Sequence, residues 1–249
     1  MTDRQARILA ILTVAVTGLL VAALAVWRAS RPARLSVELD RERYPISGID
    51  LSAHNGVPDF DAIAADSIVF VYLKASEGGD YRDPSFARNY AAATGAGLTV
   101  GAYHFFRFDT DGVRQARNML DAVKGCRLDL PLAIDVEENG NPAQVPTGTI
   151  IDRLEAMVAY LRVFGREVII YTNKNGEARF LRDSFDPAYS EAPELWICSF
   201  TDPPLPRRKW LLWQHSHTGR VRGVKGPVDL NTFNGDSTAW KAWLSRVQP

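Results

Sequence analysis

Short apolar and β-branched runs alternate with helical patterns along most of this 249-residue chain. Runs such as SIVFVYL (67–73) and LPLAIDV (130–136) are nearly continuously apolar, which is typical of parallel strands that are covered on both faces. The pattern predicts eight strands, at 46–51, 67–73, 99–105, 130–136, 167–172, 195–200, 211–215 and 227–230.

Helical patterns fill the connections between the first six of these strands. Asp83 and Pro84 supply an N-cap and a first-turn proline for the second helix, and Gly95 supplies a stop signal after it. The five predicted helices lie at 59–65, 85–94, 111–124, 149–164 and 175–182. The next connection, TDPPLPRRK, carries three prolines that exclude a helix. The alternation therefore predicts an α/β fold: an irregular TIM-like (βα)5β3 barrel over 46–249, with its last three strands joined by loops or hairpins.

The N-terminal segment carries a separate prediction. Twenty consecutive residues, Ile8 to Trp27, have no charge, and a helix of that length covers about 30 Å, the thickness of a bilayer core. We expect a short cytoplasmic tail at 1–7, a single transmembrane helix at 8–27 and a linker at 28–45. A cleaved secretion signal is the alternative, although the run is long for one and no small-x-small cleavage site follows it.

The charges around this segment weakly indicate an orientation that is opposite to the one expected from the substrate. Two arginines precede the apolar run and three follow it, which slightly favours a cytoplasmic C-terminal domain. The substrate argument given below points outward. We therefore expect the domain on the periplasmic or extracellular side of the cell membrane.

Composition narrows the possible partners and cofactors. The chain has 29 basic and 29 acidic residues, and a net charge of zero argues against broad nucleic-acid binding. His215 and His217 alternate like metal ligands, but no third His or Cys lies nearby, so we expect neither a metal nor another cofactor. Cys126 and Cys198 could form a bridge in an oxidising compartment, and we favour two free thiols. We expect a monomer.

Acidic residues recur where the predicted strands end. These four residues are Asp50, Asp135, Glu137 and Asp229. In an α/β barrel the chemistry gathers at the carboxyl ends of the strands. Asp135 and Glu137 are two positions apart, so both should face the barrel interior with backbones about 6.6 Å apart. Two close carboxylates cannot both ionise freely, and a proton donor beside an ionised partner is what glycoside hydrolysis uses.

Other side chains at the same edge allow more than one interpretation. Tyr103, Tyr171 and Trp213 could offer flat surfaces to sugar rings, although Tyr171 and Trp213 could equally be packing residues. Lys74 and Glu77 could bind sugar or form a structural ion pair. Asp229 could instead cap a turn.

The motifs resemble those of glycoside hydrolase family 25, the Chalaropsis-type lysozymes. The resemblance covers about residues 46–236 and rests on GIDLSAHNG, FVYLKASEGGDYRDPSFARNYAAATGAGLTVGAYHFF, PLAIDVEE and LWQHSHTGRVRGVKGPVDLNTFNG. It implies cleavage of the β-1,4 bond between N-acetylmuramic acid and N-acetylglucosamine in peptidoglycan.

Roles for single residues follow from the same resemblance. It implies that Glu137 is the general acid and Asp135 its stabilising partner, with Asp50 and Asp229 at the two other acidic site positions. The substrate groove would include Tyr103, Tyr171, Trp213, Lys74 and Glu77. It also favours attack by the substrate's own N-acetyl oxygen. The alternative function is a membrane-anchored module that binds glycan without cutting it; a metal-dependent hydrolase is a third.

Overall fold

A computed structural model describes residues 17–18, 39–182, 184–185, 192–204 and 209–247. The chain forms two compact units, Met1–Leu35 and Ser36–Pro249. Of the first unit, only Thr17 and Gly18 are described, and both are helical. The predicted transmembrane helix at 8–27 thus lies almost wholly outside the described residues. Within the described residues, no helix has the length and apolar character needed to cross a bilayer.

The second unit is built on a closed sheet. The described residues contain nine strands: β1 Ser47–Leu51, β2 Phe70–Glu77, β3 Tyr81–Arg82, β4 Thr99–Phe105, β5 Leu132–Asp135, β6 Val168–Asn173, β7 Glu194–Cys198, β8 Trp210–Gly219 and β9 Val228–Phe233. Their order is β1-β9-β8-β7-β6-β5-β4-β2-β3, and β1 also pairs with β2. Eight strands therefore close a barrel, as predicted, and the short β3 is added to β2 as a hairpin that the sequence did not indicate.

Strand direction changes only at one side of the barrel. Around the barrel, β1 pairs in parallel with β2, and β2 with β4. Each strand from β4 to β8 then pairs in parallel with the next one. The last strand, β9, runs antiparallel to both β8 and β1. This agrees with the prediction that the final strands are joined by a loop and a hairpin. One result is that the beginning of β9 lies at the same edge as the ends of the parallel strands.

Helices cover the outside of the barrel and one of its ends. The described helices are α1 Phe60–Ala65, α2 Phe86–Gly95, α3 Gly112–Ala122, α4 Thr147–Val163, α5 Lys174–Gly176 and α6 Ser237–Val247. The first four match the predicted helices within a few residues. The predicted fifth helix is a short α turn that continues as a π-helical segment, Glu177–Leu181. The last helix, α6, was missed.

The missed helix α6 closes the amino-terminal end of the barrel. The ring of Trp240 lies 5.3 Å from that of Phe70 at the start of β2, and Trp243 stacks on Phe233 at the end of β9. These side chains belong to a core inside the barrel, whereas a larger core lies between the sheet and the outer helices. The cavity that the predicted acidic residues line opens at the opposite, carboxyl edge of the strands.

Two glycines make room for the aromatic rings inside the barrel. A Cβ at Gly48 would lie 2.4 Å from the Phe70 ring, and one at Gly101 would lie 2.4 Å from the Tyr72 ring. Along β2, Phe70 and Tyr72 point inward while Val71 packs outward, as the two-residue period of a strand requires. The packed interior forms the floor of the cavity described next.

Candidate active site

A cavity of about 760 Å³ opens at the carboxyl edge of the barrel strands. All four predicted acidic residues line it: Asp50 on β1, Asp135 at the end of β5, Glu137 two residues later and Asp229 on β9. Lys74, Tyr103 and Tyr171 also line it, as predicted. Asp229 joins the group because β9 is antiparallel, which brings its second residue to the edge where the other strands end.

The Asp135–Glu137 pair has a strong tendency to hold a proton. Burial, followed by the charges of Glu137 and Asp50, raises the pKa of Asp135 well above its usual value, and Lys74 opposes the shift. Burial and Asp50 also raise the pKa of Glu137. Val136 between them is fully buried toward the helices, as the period-two argument predicted. The larger cause is loss of solvent rather than the mutual repulsion that the sequence argument emphasised.

Asp135 and Glu137 differ in how they are held. The Oδ1 atom of Asp135 is buried and has no hydrogen-bond partner among the described residues. Glu137 lies in a loop whose backbone is fixed by Asn141, whose Nδ2 donates to the Glu137 carbonyl oxygen and to that of Phe106, both at 2.9 Å. On the other side, Thr172 Oγ1 donates to the Val136 carbonyl oxygen at 2.6 Å. Sequence reasoning did not identify Asn141.

The second acidic pair forms across two strands. Asp50 and Asp229 are in-register partners of the antiparallel β1–β9 pair, and their carboxyl groups share a hydrogen bond. Burial, followed by the charge of Asp50, raises the pKa of Asp229 to about 8. At neutral pH Asp229 is therefore protonated and donates to Asp50. The turn-capping alternative for Asp229 is not what the structure shows.

Lys74 lines the cavity, but Glu77 is not among the described residues that do so. The Nζ atom of Lys74 lies 2.7 Å from Glu77 Oε2, so the ion-pair interpretation is correct. The same Nζ lies 5.2 Å from the ring centre of Phe105 and 5.5 Å from that of Tyr81. Glu77 thus orients Lys74 at the rim, and a direct contact of Glu77 with sugar stays a prediction.

Trp213 also needs a correction. It is 1% exposed, packs edge-on against Tyr44 and belongs to the outer core, and its Nε1 donates to the Ser199 carbonyl oxygen at 2.8 Å. Since side chains alternate along a strand, the next residue, Gln214, faces the cavity instead. The indole that does reach the cavity belongs to Trp196.

Several lining residues were missed because they lie beyond the strand ends or on faces that were not considered. They form a mostly polar edge: Asn139, Asn173, Lys174, Asn175, Ser199, Thr201 and His217. His104, in contrast, lies in the core. It is fully buried between Ser76 and Gln115, and burial lowers its pKa to about 4.

The potential metal ligands and the two thiols can be located in the part of the chain that is described. Among those residues, no group of three or more His, Cys, Asp or Glu side chains is arranged to hold an ion. Cys126 and Cys198 are both free thiols. Cys198 lines the cavity, where burial raises its pKa to about 12, so its thiol is not ionised near neutral pH.

Comparison with known proteins gives a consistent result. Residues 49–224 match the pattern of glycosyl hydrolases family 25. The uncharacterized protein YegX of Escherichia coli (strain K12) is 31% identical over 212 residues, which are 82% of this chain and 75% of that protein. The autolytic lysozyme of Clostridium acetobutylicum is 32% identical over 194 residues, 76% of this chain but only 56% of that protein.

Solved structures agree. A family 25 glycosyl hydrolase from Bacillus anthracis has a TM-score of 0.72 and 29% sequence identity, covering 83% of this chain and 96% of that one. A bacterial lysozyme from Streptomyces coelicolor has a TM-score of 0.68 and 28% identity, covering 81% of this chain and 98% of that one.

Proposed function

The chain belongs to glycosyl hydrolases family 25 and is a lysozyme-type peptidoglycan hydrolase, and on that premise we propose that it cleaves the β-1,4 bond between N-acetylmuramic acid and N-acetylglucosamine. The observation that supports this most directly is the cavity that four partly buried carboxyl groups line, each with a pKa raised chiefly by loss of solvent. A raised pKa lets a carboxyl group such as Glu137 keep its proton for transfer, which acid catalysis of glycoside cleavage requires.

In this proposal Glu137 is the general acid. It is less buried than Asp135 and stands where a loop meets the open cavity, so it can reach a glycosidic oxygen. Its proton passes to that oxygen while the bond from the oxygen to the anomeric carbon breaks. The leaving sugar thus departs as a neutral alcohol, and positive charge develops on the sugar that remains.

Asp135 is the stabilising partner. Its unpartnered, buried Oδ1 is suited to accept the N–H of the muramic acid acetamido group. That hydrogen bond favours the ionised form of Asp135 and therefore leaves the shared proton on Glu137. The acetamido oxygen then attacks the anomeric carbon. Water opens the resulting ring and gives its proton to the Glu137 carboxylate, which restores the acid.

The proposed contacts to the sugar come from the rim and walls. Tyr103 and Tyr171 line the cavity with both rings partly exposed, and burial raises the pKa of each phenol well above its usual value. They therefore remain hydrogen-bond donors with apolar faces that suit sugar rings. Lys74 is fixed at the rim, where its charge can meet hydroxyl or carbonyl oxygens.

Mass spectrometry of digested peptidoglycan tests this function. The full chain, purified in detergent, should release muropeptides that end in reducing N-acetylmuramic acid. Reducing N-acetylglucosamine, or cleaved peptide stems, would contradict the proposed bond. No release at all would favour the alternative of a module that binds glycan without cutting it.

We also propose that Ile8–Trp27 anchors the protein in the cell membrane, with the hydrolase outside the cytoplasm. The support is the length of the uncharged run and the location of peptidoglycan. An alkaline phosphatase fused to the C-terminus should be active, and N-terminal sequencing of the mature protein should find Ile8–Trp27 retained. An inactive fusion would overturn the orientation, and a new N-terminus after Trp27 would replace the anchor by a cleaved signal.

A further inference from the structure

Two side-chain amides converge on one oxygen of Asp50. Gln214 Nε2 donates to Asp50 Oδ2 at 3.0 Å, and Asn231 Nδ2 donates to the same oxygen at 2.8 Å. Burial raises the pKa of Asp50, and these two amides, followed by Asp229, oppose that shift. We propose that Gln214 and Asn231 are positioning residues that keep Asp50 as a fixed, ionised acceptor while its acidic neighbours share protons.

The amide orientations are set by donors on the far side. Trp196 Nε1 donates to Asn231 Oδ1 at 3.0 Å, and an indole N–H can only donate. The oxygen of Asn231 must therefore face Trp196, and its NH₂ group must face Asp50. Likewise, the Tyr171 hydroxyl donates to Gln214 Oε1 at 2.8 Å. The Trp196 donor thus fixes the Asn231 amide, and the Gln214 amide that donates to Asp50 presents its oxygen to Tyr171.

The arrangement belongs to the sheet rather than to loops. Gln214 on β8 and Asn231 on β9 are in-register partners, and Trp196 lies on β7. Gln214, Asn231 and Trp196 are exposed by 5%, 0% and 2%. Because strand pairing fixes all three, the donors are in place before substrate binds. Fixed donors of this kind need no reorganisation during the reaction.

Asp50 is stabilised by dipoles and not by a counter-ion. It forms no ion pair within the described ranges, and its donors are two neutral amides and one protonated carboxyl. A charge held in this way keeps its field, which can act on a positive charge that develops in the cavity. The ionisable groups that experience the charge of Asp50 are Tyr103, Asp135, Glu137, Tyr171, Cys198 and Asp229.

Asp135 provides the contrast. Its Oδ1 has no hydrogen-bond partner in the described part of the chain, whereas a single oxygen of Asp50 has two. Before substrate binds, the better-solvated anion is therefore Asp50. The catalytic consequence, which rests on the proposed function, is that Asp50 contributes to stabilising the charged sugar while Asp135 is occupied with the acetamido group.

Kinetics of Gln214→Glu and Asn231→Asp test the catalytic part. Each change keeps the shape but replaces a donor by an acceptor, so kcat at neutral pH should fall about 10- to 100-fold, with KM little changed. A protonated Glu at 214 can still donate to Asp50, so activity of Gln214→Glu should recover toward lower pH. Asn234→Asp is the matched control, because the side-chain amide of Asn234 donates to the Trp210 carbonyl oxygen and does not line the cavity. An unchanged kcat and pH profile for both cavity variants would overturn the positioning role.

A second measurement does not depend on activity. Carbon-13 NMR of the full chain with labelled Asp carboxyls, assigned with Asp50→Asn, reports the ionisation of Asp50 directly. Asp50 should be ionised at pH 7, and its titration midpoint should rise in Gln214→Leu. A protonated Asp50 at pH 7, or an unmoved midpoint, would overturn the inference. An ionised Asp50 in a parent protein that releases no muropeptides would contradict the proposed function alone.

Discussion

The two acidic pairs share one cavity but are built in different ways. Asp135 and Glu137 are two positions apart at the end of one strand, and Asp135 has an oxygen without a partner among the described residues. Asp50 and Asp229 are far apart in sequence and meet across β1 and β9, and Asp50 receives two amide donors from the sheet. We call Asp135–Glu137 the open pair, because an oxygen of Asp135 has no donor among the described residues and is available to substrate. Asp50–Asp229 is the completed pair, because amides of the protein already donate to Asp50. A carboxyl oxygen without a hydrogen-bond donor suits a group that contacts substrate. One whose donors are already in place suits a fixed negative charge.

The largest expected effect comes from removing the acid of the open pair. Glu137→Gln should lower muropeptide release about 10²- to 10⁴-fold, because an amide cannot protonate the leaving oxygen. The rate should be measured by reducing-sugar release from purified peptidoglycan. Glu138→Gln is the matched control, since Glu138 is exposed and pairs with Arg179 outside the cavity lining. Equal loss in both variants, or full activity in Glu137→Gln, would contradict the assignment.

Replacing Asp135, the partner of Glu137, should lower activity but raise stability. Asp135→Asn should lower kcat about 100-fold, because a neutral side chain no longer offsets the developing positive charge. The same variant should be more stable than the parent at pH 7. The folded-state pKa of Asp135 lies well above its usual value, so its ionisation lowers the stability of the parent as pH rises above about 4, and Asp135→Asn lacks this contribution. Denaturant unfolding at pH 4 and pH 7 checks this, and a variant less stable than the parent at pH 7 would contradict it.

The completed pair should show its own pH dependence. In the folded state the pKa of Asp229 is about 8, above its usual 3.8, so the folded protein binds this proton more tightly than the unfolded chain. Stability due to Asp229 is therefore full below pH 4, falls as pH rises and is lost above about pH 8.

Asp229→Asn keeps an N–H donor for Asp50 but cannot ionise. Because the burial of its amide costs the same at both pH values, its stability relative to the parent should rise by several kcal/mol between pH 4 and pH 8. Thermal unfolding across this pH range is the measurement. A constant difference at both pH values would mean that Asp229 does not titrate between them.

The contrast between the pairs also explains what the sequence could predict. Asp135 and Glu137 were found because their relation is local: a continuous apolar run gives the strand, and the two-residue period gives a common face. The hydrogen bond from Asn231 to Asp50 joins residues 181 positions apart, and it exists only because of the β1–β9 register. Apolar periodicity predicts strands but not their register, so Asp50 and Asp229 were located while their amide partners were not.

The error at Trp213 has the same origin. The pairing of β8 shifts register on both of its sides, between Leu195 and Trp196 and between Gln214 and Ser216. Which residue of Trp213–Gln214 faces inward depends on these irregularities, and sequence alternation alone does not place them. The helix α6 was missed for a different reason, since Trp240 and Trp243 carry a helical spacing but lie beyond the last predicted strand.

The smallest expected effect tests this correction. Trp213→Phe removes the N–H that bonds the Ser199 carbonyl oxygen but leaves a large ring in the outer core, so stability should fall by about 1 kcal/mol with kcat nearly unchanged. Trp196→Phe removes the donor that orients Asn231, so it should lower kcat several-fold and move the pH profile. If the two variants exchanged these effects, Trp213 would be the cavity aromatic after all. If both lost only stability, the donors behind Asp50 would be packing features, and the difference between the two acidic pairs would lie in burial alone.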